Sequence, residues 1–199
     1  DNSIELIDKK ITSEVCAHHL WFTEKNYSEL GSKIKWNPAI KSKNDRDALW
    51  QALKEDKIDI IASDHAPHTI EEKNNKYLSC PSGGPMIQHT ILSLLQKCKK
   101  YGVSYEKIVE KIAHNPATIF KVNKRGFLRE GYYADIVLID TNTPTHVTKE
   151  SLLYKCGWSP FEGQKFDNSI YKTILNGSVV YENGKVNSIP YGKKITFNR

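Results

Sequence analysis

The segment that most constrains the fold is an apolar run that leads directly into three chemically active side chains. Residues 58–62 read Ile-Asp-Ile-Ile-Ala, and residues 63–68 read Ser-Asp-His-Ala-Pro-His. A short run of this kind is typical of a strand whose two faces are both covered, as in parallel sheets. Barrel enzymes built on such sheets keep their chemistry at the carboxyl ends of the strands. Asp64, His65 and His68 are therefore candidate functional residues.

These residue types favour a metal-dependent hydrolase over other classes of enzyme. Carboxylates and imidazoles are ligands of catalytic zinc, which normally takes about three protein ligands and a water molecule. The chain offers one convincing cluster of potential ligands, whereas the chemistry needs several such clusters. The sequence thus indicates part of a metal site.

The composition is that of an ordinary globular protein. The 199 residues are 39% hydrophobic and 26% charged. No stretch approaches the roughly 20 apolar residues of a membrane span. The first five residues lack the basic and apolar regions of a signal peptide, so a cytoplasmic location is expected. The four cysteines are widely spaced without a C-x-x-C pair, which predicts reduced thiols.

The net charge of +6 does not by itself indicate a nucleic-acid partner. The lysines are scattered along the chain and interleaved with Asp and Glu, and no nucleic-acid-binding motif is recognisable. A lysine-rich solvated surface is the better interpretation. Neither nucleic acid nor a membrane is expected as a partner.

The pattern of the chain changes near residue 120. Before this point, short apolar strands alternate with helical patterns, which is the signature of β/α units around a parallel sheet. Strands are predicted at residues 10–17 and 58–62, the first running into His18 and His19. Helices are predicted from Asn44 or Asp45 to Glu55, at residues 85–101 with Gly102 as the stop, at 105–113, and in a short turn at 115–120.

Beyond residue 120 the pattern is mostly β. Strands are predicted at residues 134–140, 170–175, 178–182 and 185–186. The last three form a meander whose turns are Asn176-Gly177 and Asn183-Gly184, because Asn-Gly is the strongest short hairpin signal.

Six motifs follow one another along the whole chain. They are Ser-Glu-Val-Cys-Ala-His-His-Leu (13–20), Lys-Trp-Asn-Pro-Ala-Ile (35–40), Ile-Ala-Ser-Asp-His-Ala-Pro-His-Thr (61–69), Cys-Pro-Ser-Gly-Gly-Pro (80–85), His-Asn-Pro-Ala (114–117) and Glu-Gly-Tyr-Tyr-Ala-Asp-Ile-Val (130–137). In this order and spacing, the chain resembles the carboxyl-terminal half of a dihydroorotase of the amidohydrolase superfamily. The Asp-His-Ala-Pro-His-Thr form resembles dihydroorotases more than hydantoinases or allantoinases.

The resemblance implies an α/β fold in two parts. Residues 1–120 would be the carboxyl-terminal part of a metal-dependent (β/α)8 TIM-like barrel, containing its strands 7 and 8, and residues 121–199 the carboxyl-terminal part of a small β-sandwich. It also implies a zinc enzyme, with two Zn²⁺ ions in the complete active site. That enzyme interconverts N-carbamoyl-L-aspartate and dihydroorotate in de novo pyrimidine biosynthesis.

The resemblance also implies partners. The family's metal ligands on the earlier barrel strands have no counterpart in this sequence, so the missing amino-terminal half of the barrel is expected as a partner. The chain alone is expected to be inactive. A homodimer and a complex with aspartate transcarbamoylase are further possibilities that the resemblance suggests.

By resemblance, Asp64 is a zinc ligand and the general base, which takes a proton from the attacking water and passes it to the leaving nitrogen. His68 resembles the residue that binds the substrate carboxylate, and Asn37 one that meets the ring imide. Ser82 and Gly83 match the loop whose backbone groups contact the ring. Taken alone, the same residues also suit plainer roles: a capping carboxylate, a third zinc ligand or packed loop histidine, a turn asparagine and a flexible loop.

The other histidines are given lesser roles. His65 is expected to support the site or the structure, and His114 to be structural at a helix end. His18 and His19 are placed on a strand, where neighbouring side chains point to opposite faces, so at most one could face the site. Neither is assigned as a ligand.

Two other functions stay open. A non-catalytic dihydroorotase-like scaffold could bind a partner, although it would have no need to keep Asp64, His68 and Gly83 together. A hydantoinase or allantoinase would act on a related ring, and the family's loop often has an acidic residue where this chain has Gln88.

Overall fold

The computed structural model describes residues 6, 9–187 and 192–198 of the chain. The first five residues, on which the expectation about a signal peptide rests, lie outside these ranges. Within the ranges, every helix is too short or too polar to span a bilayer. All four cysteines are free thiols.

Two parallel strands organise the amino-terminal part. β1 (Glu14–Cys16) and β2 (Ile60–Ala62) pair in parallel, with Val15 opposite Ile61. Both of these side chains are buried, as expected for strands that are covered on their faces. Among the described residues these two strands pair only with each other, so the barrel is not closed. This part of the chain has a mixed α/β fold.

The helices surround this strand pair. They are α1 (Ala17–Trp21), α2 (Tyr27–Leu30), α3 (Lys43–Lys54), α4 (Ile70–Lys73), α5 (Thr90–Cys98), α6 (Tyr105–Val109) and α7 (Asn115–Ile119). A π-type turn at Glu110–His114 joins α6 to α7, where one continuous helix to residue 113 was expected.

Two helix starts differ from the sequence-based expectation. Ser42, and not Asn44 or Asp45, caps α3: the Asp45 N–H donates to Ser42 Oγ at 3.3 Å, and the Ser42 N–H donates to the Asp45 carboxylate at 3.0 Å. This is a capping box. The helix expected at residue 85 begins only at Thr90, because the preceding Met86 N–H is bonded to a histidine ring in another loop.

The first strand also ends earlier than expected. The strand predicted at residues 10–17 stops at Cys16, and Ala17 begins α1. His18 and His19 therefore lie on a helix, where neighbouring side chains are about 100° apart and do not point to opposite faces.

The carboxyl-terminal part is β, as predicted. β3 (Ile136–Asp140), β6 (Ser169–Leu175), β7 (Ser178–Glu182) and β8 (Lys185–Val186) form an antiparallel sheet in the order β3-β6-β7-β8. Both Asn-Gly turns have positive φ at both positions, 50° and 83° for Asn176 and Gly177 and 49° and 81° for Asn183 and Gly184. This is the geometry of a type I′ hairpin turn. A second pair, β4 (Thr145–His146) and β5 (Lys165–Phe166), was not predicted.

An aromatic core joins the helices to the strands. The fully buried Trp50 of α3 donates its indole N–H to the Leu20 carbonyl of α1 at 2.9 Å. Phe161 and Phe166 are fully buried and pack edge to face with Trp21. Segments before and after residue 120 thus share one core, and the predicted domain boundary there stays a prediction.

The buried Asp59 ties the start of β2 to two other segments. Lys9 Nζ lies 2.6 Å from its carboxylate, and the Ser13 N–H donates to the same group at 2.7 Å. The Asp59 carbonyl accepts a hydrogen bond from the Asn115 side chain at 2.7 Å. Burial raises the pKa of Asp59, but the Lys9 ammonium and the Ser13 donors outweigh burial and hold the pKa below its usual value.

We expect Asn115→Ala to lower the free energy of unfolding by about 1–3 kcal/mol, because it leaves the buried Asp59 carbonyl without its donor. Urea denaturation followed by circular dichroism measures the change. Asn44→Ala is the matched control, because Asn44 is exposed in the first turn of α3, and its effect should be close to zero. Equal effects of the two substitutions would contradict this account of β2.

Candidate active site

Asp64 stands at the carboxyl end of β2, as the sequence predicts. Its backbone has φ 45°, a left-handed conformation that aspartate adopts more readily than most residues, and it is exposed. Its negative charge raises the pKa values of Cys16 and His19, although burial dominates both groups. Asp64 therefore lies beside the junction of β1 and α1, at the carboxyl edge of the parallel pair.

His65 links the loop that contains Asp64 (residues 64–68) to the glycine-rich loop (residues 80–84). Its Nδ1 accepts hydrogen bonds from the Met86 N–H at 3.1 Å and the Ile87 N–H at 3.4 Å. Burial lowers the pKa of His65, which favours the neutral ring that can accept these bonds. The expected supporting role of His65 thus has a specific geometry.

His68 lies two residues before α4, and about a third of its side chain is exposed. Its Nδ1 is 3.5 Å from Glu72 Oε2, and its carbonyl accepts the indole N–H of Trp158 at 2.8 Å. The ring is held by Glu72 on one nitrogen, which leaves Nε2 for another partner. His68 belongs to no metal-binding group among the described residues.

Two lysine side chains hold the glycine-rich loop by hydrogen bonds to main-chain carbonyls. The buried Lys73 donates from Nζ to the Pro81 carbonyl at 2.9 Å and to the Gly83 carbonyl at 2.8 Å. Lys35 donates from Nζ to the carbonyls of Tyr77 at 2.7 Å and Cys80 at 2.6 Å. The loop that contains Ser82 is therefore fixed by its carbonyl groups and is not a plain flexible loop.

Gly83 is required by its surroundings. Its φ is 115°, and a Cβ at this position would lie 2.5 Å from the Ala66 carbonyl oxygen. Its N–H donates to the Lys35 carbonyl at 2.9 Å. Both peptide groups of Gly83 thus serve the protein itself, and the predicted contact of Ser82 and Gly83 with a ring substrate stays a prediction.

Asn37 is exposed on the loop that faces these segments. The following Pro38 carbonyl lies 3.0 Å from His19 Nε2, and the preceding Trp36 ring packs against Gly84. Three loops, residues 35–38, 64–68 and 80–84, are thereby joined at one edge of the strand pair. The structure brings together the segments of all five predicted site residues, Asn37, Asp64, His68, Ser82 and Gly83.

A group that the sequence did not single out lies at the same edge. Cys16, His18 and His19 place one donor atom each within 4.8 Å of one another. The expectation that His18 and His19 point apart is wrong, because both lie on α1; their ring centroids are 4.2 Å apart. The adjacent His18 and His19 are visible in the sequence, but their convergence with Cys16 depends on where β1 ends.

The predicted zinc cage is not complete in the described part of the chain. Asp64 offers one exposed carboxylate, and the Cys16, His18 and His19 group, the one set of three potential ligands there, does not include it. A catalytic zinc needs about three protein ligands. Asp64 can thus be one ligand of a metal, and no catalytic step through a metal follows from these residues.

A cavity of about 680 Å³ lies away from this edge, between α5 and the carboxyl-terminal sheet. Its wall includes Gln88, Leu92, Ile170 and Tyr181. None of the five predicted site residues lines it. This cavity is therefore not where the chemistry is expected.

Comparison with known proteins gives a consistent family. The model described as "Amidohydrolase family" matches residues 2–180. The dihydroorotase of Pyrococcus horikoshii is 36% identical over 185 residues, which cover 93% of this chain and 42% of that protein. The dihydroorotase of Clostridioides difficile is 37% identical over 172 residues, which cover 86% and 40%. The chain thus spans about two-fifths of the length of these relatives.

Solved structures of hydantoinases have a similar fold over most of this chain. The L-hydantoinase (dihydropyrimidinase) of Arthrobacter aurescens superposes with a TM-score of 0.81 at 25% identity, covering 94% of this chain and 44% of that one. A D-hydantoinase superposes with a TM-score of 0.80, also at 25% identity, covering 88% and 40%. The matched portion is again less than half of each relative.

We expect Gly83→Ala to destabilise the glycine-rich loop, because the new Cβ would collide with the Ala66 carbonyl and the positive φ would be strained. Gly163→Ala is the matched control: it has a similar positive φ of 85°, but nothing lies within 4 Å of its Cβ. Thermal unfolding and limited proteolysis of the loop compare the two. A loss of stability no greater for Gly83→Ala than for Gly163→Ala would show that the close approach to Ala66 is unimportant.

Proposed function

The chain belongs to the amidohydrolase family, and we propose that it is the carboxyl-terminal part of a zinc-dependent dihydroorotase. The observation that carries the proposal is the position of Asp64 at the carboxyl edge of the strand pair, next to the loops of Asn37 and Gly83. The dihydroorotase relatives, which match about nine-tenths of the chain, support the choice of ring substrate.

Asp64 would act as the general base. Its carboxylate is exposed at the edge, and in the described part of the chain no hydrogen bond or ion pair occupies it. In the hydrolytic direction it would accept the proton of the attacking water and pass it to the ring nitrogen as the C–N bond breaks. We also propose Asp64 as this chain's ligand to zinc, with two zinc ions in the complete active site.

His68 and Asn37 would bind the substrate. When both ring nitrogens carry protons, His68 Nδ1–H faces the Glu72 carboxylate and Nε2–H can donate to the carboxylate of dihydroorotate. The Asn37 side chain has both a donor and an acceptor for the ring imide. The loop of Ser82 and Gly83, fixed by Lys35 and Lys73, would form the floor under the ring.

Exposed apolar residues on the carboxyl-terminal strands indicate that another part of the protein normally covers them. Val137 and Leu138 of β3 and Val179 of β7 are 50%, 43% and 37% exposed. Exposed apolar strand residues of this kind normally meet another sheet or strand. We propose that the amino-terminal half of a dihydroorotase completes both the barrel and the β-sandwich. A homodimer or aspartate transcarbamoylase would be a further cytoplasmic partner.

Reconstitution of activity tests the role of Asp64. The chain alone should not hydrolyse dihydroorotate, whereas a mixture with the amino-terminal part of the Clostridioides difficile dihydroorotase should take up zinc and gain activity. Asp64→Asn in the mixture should lower kcat by about 10²- to 10⁴-fold, the usual contribution of a general base. Steady-state kinetics and zinc analysis make the measurement.

Asp167→Asn is the matched control, since Asp167 is an exposed aspartate that bonds to Gln96 far from the site. It should leave kcat unchanged. Zinc-dependent activity of the chain alone would show that it builds a complete site. A correctly assembled but inactive mixture would favour the non-catalytic scaffold.

A substitution at His68 distinguishes dihydroorotate from a ring substrate without a carboxylate. His68→Gln should raise KM for dihydroorotate by about 10- to 100-fold, the equivalent of one hydrogen bond to a charged group. KM for dihydrouracil, which lacks the carboxylate, should not change. A hydantoinase-type enzyme would instead prefer dihydrouracil before the substitution and be affected equally for both rings.

A further inference from the structure

Three donor side chains converge where β1 passes directly into α1. Cys16 is the last residue of the strand, and His18 and His19 lie in the first turn of the helix. One sulfur and two nitrogens lie within 4.8 Å of one another. In a tetrahedral zinc site such atoms are roughly 3.3–3.6 Å apart, given Zn–N bonds of about 2.0 Å and Zn–S bonds of about 2.3 Å. Side-chain rotations that move the donor atoms by roughly 1.2–1.5 Å would close the difference.

His18 is buried, with an exposed fraction of 0%, and its ring nitrogens Nδ1 and Nε2 have no hydrogen-bond partner in the part of the chain that the structure describes. The ring is stacked on Trp36, with centroids 4.2 Å apart and an angle of 8° between the planes. A buried polar group is normally paired, and leaving one unpaired is unfavourable. A metal ion between the three side chains would give one of the two ring nitrogens a partner.

His19 is oriented as a ligand by its other nitrogen. Its Nε2 lies 3.0 Å from the Pro38 carbonyl, which can only accept a hydrogen bond, so Nε2 carries the proton. Nδ1 then has a free lone pair. Metal-bound histidines commonly donate their second ring N–H to a carbonyl or carboxylate in this way.

Cys16 contributes a soft donor. It is half-buried and a free thiol, and the negative charge of Asp64 acts on both Cys16 and His19. A thiolate with two imidazoles is a donor set that selects zinc and similar borderline or soft cations over magnesium and calcium. The nearby carboxylate makes the local potential favourable for a cation.

We propose that Cys16, His18 and His19 form a metal site for Zn²⁺ or a cation of similar softness, separate from the metal position assigned to Asp64. Binding forms one bond to sulfur and two to nitrogen, and the Cys16 proton is released to solvent. A water molecule completes the fourth position. The site belongs to this chain and does not depend on the proposed dihydroorotase activity.

Cobalt(II) is the probe, because a cobalt–thiolate bond absorbs strongly in the near ultraviolet, whereas cobalt bound by carboxylate and imidazole alone does not. The full chain should bind one equivalent with this absorption, and zinc should displace it. Cys16→Ser should abolish the band. Cys156→Ser, the matched control at another half-buried free cysteine, should keep it.

A wild-type chain that binds cobalt without the thiolate band, or a band that persists in Cys16→Ser, would overturn the proposal. Thermal melting shows whether Cys16→Ser still folds. If it does not, alkylation of the wild-type chain followed by mass spectrometry decides: zinc should protect Cys16 and leave the Cys156 rate unchanged. Equal rates at Cys16 with and without zinc would refute the site, whatever the activity of any reconstituted enzyme.

Discussion

The parallel pairing of β1 and β2 is the contact on which the rest of the structure depends. It is short, and Asp59 secures it at the amino end of β2 through Lys9, Ser13 and Asn115. The carboxyl ends of β1 and β2 lie at the same edge of the pair, because the two strands are parallel. Asp64 follows one strand and Cys16 ends the other. The direction of the two strands therefore places Cys16 and Asp64 at the same edge.

The loops at this edge are held by main-chain carbonyls bonded to lysines. Lys73 is fully buried, and no carboxylate pairs with it in the described part of the chain; its ammonium instead bonds to the carbonyls of Pro81 and Gly83. Lys35 does the same for Tyr77 and Cys80. The ammonium groups of Lys35 and Lys73 thus both lie against the glycine-rich loop and the residues just before it. This arrangement fixes the loop and makes the local potential more positive.

The accuracy of the sequence-based expectations follows from how local each signal is. The Asn-Gly turns and the strands beside them were predicted correctly, because the positive φ of a type I′ turn is a property of two residues. The start of α5 was wrong, since Met86 gives its N–H to His65, which is 21 residues away. The orientation of His18 was wrong for a similar reason: one residue of difference in where β1 ends changes strand geometry into helix geometry.

The sequence by itself determined the family and the β character of the carboxyl-terminal part, because motifs and turn residues are encoded in short stretches. The site roles of Asn37, Asp64, His68, Ser82 and Gly83 stay predictions. Only the tertiary structure decided that Lys35 and Lys73 hold the loop, that Glu72 orients His68, and that Cys16, His18 and His19 converge. These contacts join residues through space or depend on the exact end of a strand. Packing and hydrogen bonding across the whole fold set such details, and no local pattern records them.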